Sequence, residues 1–156
     1  MEDKLAGVME TIEKYRADVQ KMDRYITYLS SKRDQAVMQN YEGDSTGGPS
    51  TVMHFPVYDS GLMTFVKEAQ NTVFMDRNYP YVYSRYRIKG VEDERRLIEQ
   101  ADVKTFDVLC GILSRYVLLG QRRSSVWADG VKEGIFLDII LKMQSIITYW
   151  DTTFEK

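Results

Sequence analysis

The N-terminal segment carries an apolar pattern that constrains the fold more than any other feature of the chain. Apolar residues recur there at alternating steps of three and four, with charged residues between them. This spacing keeps the apolar side chains on one side of an α-helix for about four heptads. We therefore predict a long helix over residues 1–41. The members of this heptad seam are Leu5, Val8, Ile12, Tyr15, Val19, Met22, Ile26 and Leu29.

The heptad seam needs a surface to cover it, and the sequence leaves two interpretations of what that surface is. A helix that packs on its own domain usually has a wider apolar stripe than about two residues in seven. The narrow stripe favours a dimerisation arm, in which the seam residues meet the same helix of a second copy in a homodimeric coiled coil. In the alternative, the seam packs against the rest of its own chain.

The remainder of the chain has the composition of a loop followed by a helical domain. Glycine and serine are frequent near the start of residues 42–54, which we predict to be a flexible loop, and residues 55–156 form the predicted helical domain. Pro56 argues against a central strand in residues 52–58. No stretch alternates apolar and polar residues over enough positions to predict the strands of a sheet. The predicted fold class is all-α, a long N-terminal heptad helix plus a compact bundle of about five shorter helices.

Start and stop signals place the helices of this bundle. Predicted helices cover residues 60–75, a short piece near Pro80, 91–100, 102–119, 124–131 and the segment after Gly134. Asp102 is the predicted cap of the helix that stops at Gly120. Ser124 or Ser125 is expected to cap the next helix. The predicted core contains Phe106, Leu113, Trp127, Ile135 and Phe136.

The bulk composition excludes several classes of function. The formal net charge is -2, so no global positive field attracts nucleic acid or an anionic membrane. No apolar run approaches the roughly 18 residues of a membrane span, and the charged N-terminus is unlike a signal peptide. The single cysteine, Cys110, excludes an intrachain disulfide and fits a reducing, cytoplasmic setting. We expect no membrane association.

Candidate catalytic groups are scarce. One histidine, His54, and one cysteine, Cys110, are too few for a usual zinc site, and Cys110 lies on the apolar face of a predicted helix. The acidic run Glu92, Asp93 and Glu94 is interpreted as first-turn charges of a helix. No glycine-rich phosphate loop is present. We therefore expect no enzyme activity, no catalytic residue, no metal and no cofactor.

Two adjacent arginines, Arg122 and Arg123, lie in the turn before a predicted helix N-terminus, where an anion would be attracted. Arg115 precedes them in the previous helix, and all three are expected to converge if the turn folds back. Such a site suits a phosphate, a nucleotide or an acidic partner surface. In the alternative, the two arginines are solvated or pair with Asp129 and Glu133.

A second candidate binding segment, residues 77–87, combines arginine with tyrosine. Both residue types are frequent at the energetic centres of protein interfaces, and both also suit single-stranded nucleic acid. Because the chain is slightly acidic, we expect a protein partner in preference to nucleic acid or a nucleotide. The alternative is that many of the tyrosines line the core. The candidate residues are Arg77, Tyr81, Arg85 and Arg87.

Three segments, FPVYDSGLMTFVKEA, IEQADVKTFDVLCGILSRYV and VWADGVKEGIFLDIILKM, give the chain a likeness to other proteins. Over residues 55–147 it resembles an uncharacterised family of small helical domains of Firmicute bacteria and their phages. The most specific part is Trp127, Ala128, Gly134, Ile135 and Phe136, in a W-A-x5-G-I-F arrangement. The resemblance implies helical architecture and a mobile-element setting, and it assigns no catalytic residue.

These observations lead to one expected function and one alternative. The expected function is a non-enzymatic interaction protein of a phage or mobile element that binds a host or defence-system protein in the bacterial cytoplasm. An inhibitor of a bacterial defence system, such as an anti-CRISPR protein, is its specific form. The alternative is a nucleotide- or nucleic-acid-binding module that uses Arg115, Arg122, Arg123 and residues 77–87.

Overall fold

The computed structural model describes residues 2–33, 38–42, 54–58 and 60–154, and in this part the bundle is all-α, as predicted. A long N-terminal helical segment packs with shorter helices around one apolar core. The N-terminal elements are α1 (Glu2–Met22), a 3-10 turn (Asp23–Tyr25), α2 (Ile26–Lys32), β1 (Met38–Glu42) and β2 (His54–Tyr58). The bundle continues with α3 (Ser60–Ala69), α4 (Tyr79–Arg85), α5 (Val91–Gln100), a 3-10 turn (Val103–Thr105), α6 (Phe106–Leu119), α7 (Ser124–Lys132) and α8 (Ile135–Phe154).

The heptad seam packs inside its own chain, as the alternative to the dimerisation arm predicts. Homodimerisation itself stays a prediction. α1 contacts α8 and the 3-10 turn before α6, and α2 contacts α8 and α7. Leu5 remains 46% exposed, whereas most of the seam has no surface left for a second copy. The narrow stripe is sufficient here because α8, α7 and the 3-10 turn before α6 share in covering the seam. The buried seam residues are Val8, Ile12, Val19, Met22 and Leu29.

The N-terminal helical segment is also shorter than the predicted helix over 1–41. After Met22 the backbone tightens into a 3-10 helix, which has about three residues per turn where an α-helix has about 3.6. As a result Tyr25 takes the buried position that the heptad spacing assigns to Ile26. The segment ends at Lys32, since Arg33 adopts an extended ψ of 134°.

The two strands form an antiparallel pair, which the sequence analysis did not predict. Met38 lies opposite Tyr58, and Glu42 lies opposite His54. Pro56, which argues against a central strand, is compatible with this arrangement because each strand of a two-stranded sheet has a free edge. The predicted flexible loop over 42–54 lies, apart from its two ends, outside the described residues.

Helix α3 ends at Ala69 instead of continuing to residue 75, because polar side chains bond to the local backbone. The Thr72 hydroxyl donates to the Ala69 carbonyl at 2.7 Å and accepts from the Phe74 amide at 3.3 Å. The Asn71 amide group donates to the Lys67 carbonyl at 3.2 Å. Such bonds compete with the helical ladder and end it.

The predicted core and two of the predicted helix boundaries, at Asp102 and Gly134, are confirmed. The Asp102 carboxylate accepts from the backbone amides of Lys104 and Thr105 at 2.9 and 3.1 Å, which caps the 3-10 turn before α6. Gly134, with φ of 75°, separates α7 from α8 in the left-handed conformation that glycine adopts most readily. The predicted core residues Phe106, Leu113, Trp127, Ile135 and Phe136 are all buried.

Candidate functional site

Helix α4 presents part of the tyrosine and arginine segment to solvent. Its inner residue, Val82, is buried against Gly111 of α6, where a Cβ atom would lie 2.8 Å from the Val82 side chain. The glycine therefore allows α4 to approach α6 closely. Tyr81 and Arg85, four residues apart, share a helical face. Tyr81 is 58% exposed, and the Arg85 guanidinium lies 5.4 Å from the ring centre of Tyr86.

Arg87 follows α4 in an unusual backbone conformation. Its φ is 54°, in the left-handed region that glycine normally occupies. The Arg87 amide donates to the Ser84 carbonyl at 3.3 Å, and the Ile88 amide donates to the Tyr83 carbonyl at 2.9 Å. These two bonds form a Schellman motif, which ends the helix. An exposed arginine therefore stands at a position where local structure favours glycine.

The turn that carries Arg122 and Arg123 is held by a buried tryptophan. The Trp127 indole N–H donates to the Val117 carbonyl at 2.8 Å. Its ring lies so near Gly120 that a Cβ atom there would be 2.0 Å from it. Gly120 has a right-handed φ of -62°, so its role is to admit the tryptophan.

The predicted serine cap of α7 is not found. Arg123 stands at the N-cap in an extended conformation and makes no capping bond through its side chain, and Ser124 is already the first helical residue. The Arg123 carbonyl accepts from the Val126 amide at 3.1 Å, which starts the helix one residue earlier than the predicted cap allows.

Arg77 and Arg122 come together although they are distant in sequence. Both line a pocket of about 450 Å³ where the start of α4 meets the end of α6. Tyr79 forms part of the same wall. The structure thus joins the two candidate segments that the sequence analysis treats separately.

Arg115 does not converge with Arg122, which corrects the predicted three-arginine site. It lines a different pocket of about 370 Å³, which we call the Glu94 pocket. There its guanidinium lies 3.8 Å from a Glu94 carboxylate oxygen. It also lies over the rings of Tyr83 and Tyr116, at 5.4 and 5.3 Å from their centres. Arg115 points inward because Glu94 and these two rings surround it.

Glu94 is the residue that the sequence analysis missed. It is 2% exposed, and it accepts hydrogen bonds from the hydroxyls of Tyr116, at 2.6 Å, and Tyr83. Burial, together with the charge of Glu94, raises the pKa of both tyrosines. A signal for Glu94 exists in the sequence, because it precedes the inward-facing Ile98 by four residues and therefore shares its face.

The arginines of the described segments fall into two groups. Each member of the first forms an ion pair, and none of the second does. The turn arginines do not pair with Asp129 or Glu133, and Glu133 pairs with Arg95 at 2.7 Å. Arg122 and Arg123 are exposed, as the solvated form of the alternative expects. The paired arginines are Arg16, Arg24, Arg33, Arg95, Arg96 and Arg115. The unpaired arginines are Arg77, Arg85, Arg87, Arg122 and Arg123.

The groups considered for catalysis do not assemble a reactive site in the described part of the chain. Cys110 is buried, and burial raises the pKa of its thiol to about 12, so a thiolate nucleophile is disfavoured at neutral pH. No group of three or more histidine, cysteine, aspartate or glutamate side chains suited to a metal ion occurs among residues 2–33 and 60–154. Among the described helices, none is both long and apolar enough to cross a membrane.

The chain matches no protein-family model, no curated protein and no solved structure. The resemblance to a helical family of Firmicute bacteria and their phages therefore stays a prediction.

Proposed function

We propose that this chain is a non-enzymatic interaction protein that binds an acidic surface of a partner protein. The contact surface in this proposal is the arginine face. We define it as the unpaired arginines Arg77, Arg85, Arg87, Arg122 and Arg123 together with the exposed Tyr81. The observation that carries the proposal is that these arginines lack carboxylate partners in the described structure, while every other described arginine has one.

The unpaired state is informative because the chain is not short of carboxylates. It has 23 acidic residues against 21 basic ones. Arg95 and Arg96, for example, find such partners within α5. Arg77 and Arg122 line one pocket that has no carboxylate in its wall, and such like charges repel each other. A partner of opposite charge offers a reason for this arrangement.

A protein partner is favoured over nucleic acid by the overall charge and by the aromatic content of the face. The net charge of -2 gives no long-range attraction to a phosphate backbone. Nucleic-acid binding remains the second candidate, supported by the pocket that Arg77, Tyr79 and Arg122 line together. That combination suits a stacked base beside a phosphate.

The family resemblance supplies a specific form of the proposal. In it, the chain belongs to a phage or mobile element, acts in the cytoplasm of its bacterial host and inhibits a defence system such as CRISPR. Expression in cells that carry an active CRISPR system tests this form through the plating efficiency of a targeted phage. Plating that rises with the parent protein and not with Arg77→Glu/Arg122→Glu supports it, and unchanged plating opposes it.

The general proposal is tested by affinity capture from a lysate of a Firmicute host. The immobilised parent chain is compared with Arg77→Glu/Arg122→Glu, and the retained proteins are identified by mass spectrometry. A control variant, Lys67→Glu/Lys132→Glu, makes the same change of charge at exposed lysines outside the arginine face. We expect the parent and the lysine control to retain a protein that the arginine variant loses.

Fluorescence anisotropy with single-stranded and duplex oligonucleotides, measured over a range of salt concentrations, separates the two candidates. Weak binding that the arginine variant leaves unchanged agrees with a protein partner. Tight, steeply salt-dependent binding that the arginine variant abolishes contradicts the protein-partner proposal and establishes the nucleic-acid alternative.

A further inference from the structure

The Glu94 pocket is separate from the arginine face and has walls of both charges. Loop residues before α5, the first turn of α5, and parts of α6 and α7 enclose it. Its volume of about 370 Å³ lies near the lower end of the range for small-molecule sites, which is about 300–1,000 Å³. Apolar surface comes from Ile88, Val91 and Val126, and the charged groups are Lys89, Glu94, Arg115, Asp129 and Glu133.

Two of the carboxylates in this pocket already have partners. Glu94 accepts hydrogen bonds from Tyr83 and Tyr116, one on each oxygen. Glu133 receives a hydrogen bond from Arg95 at 2.7 Å. Neither needs a ligand, and together they form a fixed wall.

Arg115 has unused hydrogen-bonding capacity. Its closest carboxylate oxygen, on Glu94, is 3.8 Å away, which is too long for a hydrogen bond. The rings of Tyr83 and Tyr116 hold the guanidinium in place, while a third of the side chain stays accessible. The planar N–H groups therefore suit a carboxylate, which guanidinium binds through two parallel hydrogen bonds.

Asp129 supplies the opposite charge in the same pocket. Its carboxylate forms no hydrogen bond or ion pair with the described residues, and it does not pair with Arg115. Desolvation, with a contribution from the charge of Glu133, raises the pKa of Asp129. Asp129 is exposed, so a cationic group on a ligand can reach its carboxylate and would favour its charged form.

We propose that the Glu94 pocket binds a small dipolar molecule of the amino-acid class, with its carboxylate on Arg115 and its ammonium group on Asp129. A simple anion meets repulsion from Asp129 and Glu133, and a simple cation meets repulsion from Arg115 and Lys89. A molecule that carries both charges satisfies both sides, and the apolar wall accommodates its side chain. This inference is independent of the arginine face and does not rest on the proposed function.

Isothermal titration calorimetry of the full chain with each standard L-amino acid tests the proposal. The best binder is then compared with its N-acetyl form, which lacks the ammonium group, and with its amide, which lacks the carboxylate. We expect saturable binding of the free amino acid and about tenfold or more weaker binding of each derivative, as for a lost hydrogen bond between charged groups.

Two variants assign the contacts. Asp129→Asn and Arg115→Lys are each expected to weaken binding by about tenfold or more. The matched controls Asp107→Asn and Arg96→Lys, which lie outside the pocket and outside the arginine face, are expected to bind like the parent. Arg115→Lys keeps the charge beside Glu94, and circular dichroism checks its fold.

The proposal is overturned if no amino acid binds, if the N-acetyl or amide form binds as well as the free amino acid, or if Asp129→Asn binds like the parent. Should a variant fail to fold, the comparison of derivatives on the unmodified chain still decides between the outcomes.

Discussion

Arg115 and Arg122 are near each other in the sequence, yet the first lies beside a carboxylate and the second does not. Arg115, within α6, faces the buried Glu94 and two tyrosine rings. Arg122 lies beyond the end of α6 and is exposed, beside Arg77 and Tyr79. The difference teaches that Arg115 is placed to offset a buried carboxylate. Arg122 has no carboxylate partner among the described residues, and in our proposal a partner protein supplies one.

The same contrast extends to the other arginines. Arg16 joins α1 to α8 through two hydrogen bonds to Asp151, at 3.2 and 2.5 Å, and Arg24 pairs with Glu68. Exposed pairs of this kind contribute little each, about 0–1 kcal/mol. Their presence still matters to the comparison, because it shows that arginines elsewhere in the described chain do find carboxylate partners.

The largest expected effect on stability is at Trp127, the buried side chain that holds the turn with Arg122 and Arg123 against α6. Trp127→Ala should lower the free energy of unfolding by about 3–5 kcal/mol, because it empties a buried site and removes the bond to Val117. Thermal and urea unfolding measure the change. Tyr149→Ala, which truncates an aromatic side chain that is 63% exposed, should cost less than about 1 kcal/mol. Equal costs for the two would contradict this role of Trp127.

A smaller effect on stability is expected when Glu94, the buried carboxylate beside Arg115, loses its charge. Glu94→Gln should reduce the free energy of unfolding by about 1–3 kcal/mol, because the tyrosine hydroxyls lose a charged acceptor and Arg115 loses its counter-ion. The control Glu99→Gln changes an exposed carboxylate of the same helix and should be nearly neutral. If urea unfolding shows no difference between the two variants, Glu94 does not hold this cluster together.

A gain of stability is expected within the arginine face. Arg87→Gly should raise the free energy of unfolding by about 1 kcal/mol, since glycine adopts a φ of 54° without the cost of a side chain. Arg85→Gly, two residues earlier in α4, should have the opposite sign because glycine is a poor helix residue. The two melting curves should therefore move in opposite directions. A loss of stability in Arg87→Gly would mean that this arginine is retained for the fold.

Much of the bundle follows from the sequence, because apolar spacing of three and four and the capping signals act locally. The positions of α5, α6, α7 and α8 are predicted in this way, and so is the burial of Trp127 and Phe136. The shift of register at Tyr25 and the early end of α3 depend on particular side-chain bonds and on packing, which spacing alone does not reveal.

The candidate site is predicted less completely for a different reason. The arginines can be recognised as candidate binding residues in the sequence, but which of them meet is a tertiary property. Arg77 and Arg122 are brought together by the packing of α4 on α6, and Arg115 is drawn away by Glu94. Glu94 was assigned to a helix terminus because two acidic neighbours precede it, although its spacing from Ile98 indicates an inward position.

The most direct measurement of the central claim is made on a variant in which Arg77, Arg85, Arg87, Arg122 and Arg123 are all replaced by glutamine. Its free energy of unfolding and its retention of the captured partner are determined together. We predict a change in stability of about 1 kcal/mol or less, as for surface substitutions, with loss of the partner. A variant that keeps the partner, or one that unfolds, would contradict the claim that these arginines are surplus to the fold and required for binding.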